Sequence, residues 1–306
     1  MKVLVICSHN SGRIAPFIKQ QVESVLRNGI NAKYFFVERK GCFGYLRNLP
    51  KLHKKIKEVK PDLIHAHYGL SGLFANLQRK VPVITTFHGS DINNPKVRQL
   101  SKIAMVLSAH SVFVSSNLAN LASVNNNYTI LSCGIDLNTF FPMDKTEARK
   151  RTGLEVRDKI VLFAGSFGNK VKNYPLAEKA VKHLDQNIKL MELKGYTQSE
   201  VNLLLNACDA ALLTSFSEGS PNFIKEAMAC NCPIVATDVG DIKEITGEIP
   251  GTCFCNFSAR EIAEKLTGVL SSDARTNGRE KILHLDMDLT ARKLIEIYEK
   301  YQLKNN

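Results

Sequence analysis

The sequence predicts an open α/β fold built twice over, and three observations carry that prediction. Short β-branched and apolar runs alternate with amphipathic segments from one end of the chain to the other. The alternation breaks once, near residue 136, and then resumes. At 306 residues the chain is long enough for two domains that each bury a core.

In the first half the strand-like runs fall at residues 2–7, 32–37, 62–66, 81–86, 111–114 and 128–131. Between them, Phe17, Val22, Val25 and Leu26, and later Leu49, Leu52, Ile56 and Val59, recur at helical spacing. The break comprises Asn138, the Phe140-Phe141-Pro142 turn and a charged segment, 144–151, with no apolar stripe. A linker is expected there, separating a domain of residues 1–142 from one of residues 143–288. Strands then follow at 159–164, 188–193, 210–214 and 233–237. A last helix, 289–303, carries Leu289, Leu294, Ile297, Tyr298 and Tyr301 on one side. Parallel α/β domains bind ligands at the carboxyl ends of their strands, so the expected site is the cleft between the two.

Composition excludes several classes. With 44% hydrophobic and 23% charged residues the chain is neither disordered nor collagen-like, and eight Cys are too few for a disulfide scaffold. Cys230/Cys232 and Cys253/Cys255 lack the Cys-X2-Cys knuckle of a zinc site, so no metal is expected. One Lys and five apolar residues follow Met1 before Ser8, too few for a signal peptide, and no later stretch reaches 18 apolar residues. The expected location is cytoplasmic. The net charge of +12 is uneven: residues 1–150 hold 21 Lys and Arg against 8 Asp and Glu, residues 151–306 hold 20 against 21. The basic excess belongs to the first half.

The most informative stretch runs Ser215-Phe-Ser-Glu218-Gly219-Ser220-Pro221-Asn222-Phe223-Ile-Lys-Glu226 and on through Cys230 and Pro233 to Asp238 and Gly240. It reads as strand, turn, helix, strand. Ser220 is a suitable N-cap and Pro221 suits the first helical position. The amides of Asn222 and Phe223 would then face outward with the positive end of the helix dipole, a site for a diphosphate. Glu218 and Glu226, eight positions apart, could accept hydrogen bonds from sugar and ribose hydroxyls; spacing alone favours a solvated pair, because such pairs are common.

Over about twenty-five positions this stretch resembles the donor-binding signature of the retaining family-4 glycosyltransferases. That resemblance implies a GT-B fold, two Rossmann-like domains facing a central cleft, with the terminal helix crossing back to the first domain. It implies a nucleotide-sugar donor, no metal and no cofactor. It assigns Glu218 to the transferred sugar and Glu226 to the ribose. Pro61-Asp62 through Gly69 resembles the family's acceptor-domain strand and turn, and His88-Gly89-Ser90-Asp91 its His-Gly-X-Asp turn, which puts His88 beside the sugar's 6-position and Asp91 on the acceptor side. Ser132 to Pro142 resembles the segment that closes the first domain. His65 and His67 are read as alternating on their strand, at most one facing the site, and neither as catalytic.

Two departures stand out. Lys172 matches the family's phosphate-binding lysine, but Ser166 occupies the place of its arginine. The glycine-rich loop after the first strand is reduced to Ser11-Gly12, where Gly12 could admit a phosphate to the backbone. On the acceptor side, Arg39, Lys40, Arg47, Lys51, Lys54, Lys55 and Lys57 interleave with Phe43, Tyr45 and Leu46. Such a stretch suits a lipid-linked phosphate acceptor or an anionic membrane surface, and equally a solvated crossover helix. The expected function is therefore transfer of a sugar to a glycan or lipid-linked acceptor, in surface polysaccharide synthesis. The alternatives are a non-catalytic sugar-nucleotide binder and a basic nucleic-acid-binding protein, for which no nucleic-acid motif is present.

Overall fold

The computed structural model describes residues 1–9, 12, 14–38, 41–184 and 188–302. These divide into two units, residues 1–134 with 287–306, and residues 135–286.

The first unit runs β1 (Lys2–Ser8), α1 (Pro16–Arg27), β2 (Asn31–Val37), α2 (Gly41–Leu46), α3 (Leu49–Val59), β3 (Leu63–His67), α4 (Gly69–Asn76), β4 (Val83–Phe87), α5 (Ser90–Asn93), α6 (Pro95–Leu107), β5 (His110–Phe113), α7 (Ser116–Ala122) and β6 (Tyr128–Ile130). Its six strands are parallel in the order β2-β1-β3-β4-β5-β6. Both faces of β1 are covered, which is why the strand reads as an unbroken apolar run. Val3, Val5 and Cys7 pack with Ile18, Val22 and Val25 of α1. Leu4 and Ile6 face the other way, toward Leu52 of α3 and Phe74 and Ala75 of α4. Strand order reverses beside β1, so the carboxyl ends of β1 and β3 form this unit's switch point.

The second unit contains α8 (Lys145–Thr152), β7 (Lys159–Phe163), a 3-10 turn (Lys170–Lys172), α9 (Tyr174–Lys182), β8 (Ile188–Glu192), α10 (Gln198–Ala207), β9 (Ala210–Leu213), α11 (Asn222–Ala229), β10 (Ile234–Thr237), α12 (Ile242–Thr246), β11 (Thr252–Cys255), α13 (Ala259–Leu270) and α14 (Gly278–Lys281). Its parallel sheet has the order β11-β10-β9-β7-β8. Strand order reverses between β7 and β9, and the segments after those two strands hold Lys172 and Glu218. The last helix, α15 (Met287–Tyr301), packs Ala291, Leu294 and Tyr298 into the first unit's core. Ser24 and Arg27 of α1 bind its Asp288 at 2.7 and 2.9 Å.

Three expectations need correction. The charged segment 144–151 is not a linker but α8, capped by the Asp144 carboxylate on the Glu147 amide. Its anchor is polar: buried Arg149 pairs with Asp209 at 2.8 Å and donates to the Ala207 carbonyl, which no apolar stripe would reveal. Residues 135–143 also belong to the second unit, where Asn202 and Asn206 accept the amides of Phe141 and Met143. Strand β11 was unforeseen, because Thr252 to Cys255 is too short to show a pattern. The cysteines at 208, 230 and 232 are core residues, with the Cys208 and Cys232 sulfurs 3.4 Å apart. Among the described residues no His, Cys, Asp and Glu group is arranged to hold a metal, and no helix is long and apolar enough to cross a membrane.

Candidate functional site

In the second unit the site begins where β7 ends. Gly165 has φ +135°, a conformation that favours glycine, and the Lys172 side chain packs beside it, 3.4 Å from where a Cβ would stand. Ser166 and the Phe167 amide both bind Glu192 at the end of β8, at 2.9 and 2.7 Å, and these bonds hold the Glu192 carboxyl below its usual range. Ser166 thus shapes the turn through Glu192. Lys170 is exposed on the 3-10 turn.

Lys172 reaches the segment after β9. Its ammonium lies 2.7 Å from Glu218 Oε1, and the Ser215 hydroxyl donates to the same oxygen at 2.6 Å. Gly240, at φ +67°, backs this turn: a Cβ there would lie 3.0 Å from the Gly219 carbonyl and 3.2 Å from Glu218 Cβ. Ser215, Glu192 and Gly240 were not singled out as site residues. Ser215 and Gly240 were visible only as the first and last residues of the motif, while Glu192 depends on contacts between neighbouring strand ends.

The helix start differs by one residue from expectation. Pro221 is the N-cap of α11, without a side-chain cap, and Ser220 instead hydrogen-bonds Asp241. The first turn closes with the Ile224 amide on the Pro221 carbonyl at 3.1 Å. The amides of Asn222 and Phe223 precede that bond and have no acceptor within the helix. Phe223 contributes only its backbone, since its ring is buried in the core. Glu226 sits on the same helix, and burial pushes its carboxyl up to about 7, against the downward pull of Lys225 and Lys172. Asp241 is likewise raised by burial, to about 6, with Lys225 opposing. The amides of Asn222 and Phe223, Lys172 and the carboxyls of Glu218 and Glu226 are therefore grouped at one end of this sheet. They can neutralise a diphosphate and accept from a diol.

In the first unit His88 follows β4. Its ring packs against Phe17 and Tyr68, each centroid at 4.8 Å, and its Nε2 lies 3.0 Å from His67 Nδ1. Asp91, expected on the acceptor side, supports the turn from within. It is buried, and its two oxygens accept the amides of Gly69, His88 and Gly89 at 2.9–3.1 Å. The carboxylate ties the ends of β3 and β4 together and so positions His88. His65 and His67 also need correction. Two residues apart on a strand, they share a face, and their rings lie 4.3 Å apart, both buried. His65 bridges Tyr298 of α15 and Thr86, at 2.6 and 2.7 Å.

Gly12, at φ +75°, donates its amide to the His9 carbonyl, and among the described residues nothing lies within 4 Å of where its Cβ would stand. Arg39 and Lys40 lie outside the described residues; Arg47 is exposed. In α3, Leu52 and Val59 are buried while Lys51 and Lys55 pair with Glu38 and Glu58 at 3.4 and 3.0 Å on the outer face.

Comparison with known proteins agrees with both halves. The family model described as Glycosyltransferase Family 4 matches residues 1–139, and that described as Glycosyl transferases group 1 matches residues 157–272. TuaC of Bacillus subtilis, a glycosyltransferase named for teichuronic acid biosynthesis, is 27% identical in an alignment of 243 residues that covers 70% of this chain and 62% of TuaC. A sucrose-phosphate synthase from Thermosynechococcus elongatus superposes with a TM-score of 0.84 at 16% identity, covering 98% of each chain. HepE of Anabaena, solved in complex with UDP, superposes with a TM-score of 0.79 at 14% identity over 98% of this chain and all of HepE. The two sheets are those of GT-B structures. The chain spans 57–62% of the length of the first curated relatives it matches.

Proposed function

The chain belongs to the family-4 glycosyltransferases, and from that membership we propose that it transfers a hexose, with retention, from a nucleotide-sugar donor to a glycan or lipid-linked acceptor. The observation that carries this reading is the grouping of Lys172, Glu218 and Glu226 around the first turn of α11.

Charge develops on the leaving diphosphate as the glycosidic bond breaks. Lys172 and the amides of Asn222 and Phe223, with Gly219, Ser220 and Pro221 setting their direction, are assigned to that charge. A cation and a helix terminus supply the neutralisation, so the proposal calls for no metal and no cofactor. Glu226 takes the ribose diol; Glu218 and His88 take the transferred sugar and are the proposed catalytic pair. Gly12 and Ser166 shape the turns that border the donor. Arg47 and the lysines of α3, with Arg39 and Lys40, offer positive charge to a phosphorylated or membrane-held acceptor, at about 1 kcal/mol per basic residue near an anionic surface. Support for a surface-polysaccharide role is the similarity to TuaC, which is named for teichuronic acid biosynthesis.

Incubation with UDP-, GDP- and ADP-sugars should give transfer or slow donor hydrolysis that Glu226→Ala abolishes. Turnover unchanged in that variant would sink the assignment. The engagement of Ser166 with Glu192 supports a second reading, a sugar-nucleotide binder without turnover. Thermal stabilisation by UDP or GDP without product from any donor would select it.

A further inference from the structure

His67 stands at the carboxyl end of β3, fully enclosed. Its Nδ1 is bonded to His88 Nε2, while its own Nε2 is sealed from solvent with no hydrogen-bond partner among the described residues. Burial, with His65 and His88 alongside, holds its basicity well below that of ordinary histidine. The ring is therefore neutral and carries one N–H.

That proton has two possible places. On Nε2 it would be an enclosed donor without an acceptor, among the rarest of buried polar groups. On Nδ1 it is donated to His88, and what is left unpaired at Nε2 is a lone pair. A nitrogen–nitrogen hydrogen bond holds a single proton, so the choice at His67 dictates the tautomer of His88. Phe17 and Tyr68, packed against the His88 ring, hold its orientation while the bond sets its proton.

We infer that His67 is a positioning residue that donates Nδ1–H to His88 Nε2 and so fixes His88 as its Nδ1–H tautomer. Any ligand that His88 meets through its ring nitrogens then meets a hydrogen-bond donor. His88 is suited to holding a sugar oxygen, and its Nε2 is not offered as a base. The consequence for sugar transfer rests on the function proposed above; the tautomer does not.

The test uses the full chain with ring-15N histidine and no added nucleotide, with His88→Gln to assign the resonances. His88 Nδ1 is expected as a protonated, pyrrole-type nitrogen and Nε2 as a pyridine-type one. His67→Phe should lose that pattern. In His67→Asn an amide nitrogen can take the place of Nδ1, and the pattern should return. In parallel, kcat/KM for transfer should fall on the order of 100-fold in His67→Phe, mainly in kcat, and recover largely in His67→Asn. Protonation of His88 at Nε2 in the unsubstituted protein would overturn the inference, as would full transfer activity in His67→Phe. The expected tautomer in a protein that turns over no nucleotide sugar would uphold the inference and defeat the functional proposal.

Discussion

Lys172 and Glu218 meet at 2.7 Å, a lysine from the turn after β7 and a glutamate from the turn after β9, both mostly shielded from water. Each neutralises the other, and the Ser215 hydroxyl completes the contact on the same carboxylate oxygen. On the proposed function, a diphosphate that recruits the lysine would compete with Glu218 and so couple donor binding to release of the glutamate. Lys172→Met should raise the Kd for UDP or GDP by roughly 10- to 100-fold, the worth of one charge-assisted hydrogen bond. Titration calorimetry reads this directly, and unchanged affinity would remove Lys172 from the donor site.

Glu226 and Asp241 give the second unit an unusual dependence on pH. Their carboxyls stand at about 7 and about 6, above the ordinary 4.5 and 3.8. Between those values the folded unit keeps protons that the unfolded chain has released. Stability therefore falls as pH rises from about 4 to about 7. Glu226→Gln should flatten part of that slope and be more stable than the parent at pH 7.5. Urea melts at pH 5 and 7.5 check it, and a parallel slope in the variant would refute it.

The first unit should behave in the opposite sense. His65 is held neutral down to about 3, and His67 well below its usual value, because burial disfavours the imidazolium. Below about 6.5 the unfolded chain takes up protons that the folded unit refuses. Stability is then lost at roughly 1.4 kcal/mol per pH unit for each histidine. Separate units need not unfold together, so acid should melt the first before the second. Hydrogen exchange at pH 4.5 distinguishes the two, and equal loss of protection in both would contradict the assignment.

Gly240→Ala tests the backing of the Glu218 turn. The left-handed φ costs an alanine about 1–2 kcal/mol. The new methyl would also press on the Gly219 carbonyl and Glu218 Cβ. We expect a modest fall in Tm together with weaker nucleotide binding. A stability loss with full affinity would mean the turn does not form the site.

Asp91→Asn leaves one acceptor oxygen where three backbone amides converge on two. Loss of charge-assisted bonds at a buried position should cost about 1.5–3 kcal/mol and disorder the His88 turn. Denaturant melts and the His88 ring resonances give the two readouts. An unperturbed His88 would separate the aspartate from the site.

Much of this was legible in the chain itself. The runs at Val3 to Cys7 and Ile160 to Phe163 declare parallel strands because both faces are buried and every position is apolar. Glu218 and Glu226 were singled out through the family resemblance of residues 215–240, since their spacing by itself favours a solvated pair. α8 was not, because its hold on the fold is one buried Arg149–Asp209 pair sixty residues apart. Nor was the role of Asp91, whose partners Gly69 and His88 come from two different turns.

Sequence alone determined that two parallel α/β units exist and that the basic excess lies in the first, since both follow from local pattern and composition; the place expected for the donor motif follows from the family resemblance of residues 215–240. Only the tertiary structure decided which polar groups meet: Lys172 with Glu218, Ser166 with Glu192, Ser220 with Asp241, and His67 with His88. Local propensity acts over a few neighbouring residues. Hydrogen bonds and charge pairs act over a few ångströms, and those ångströms exist only once the sheets have brought distant turns to one end.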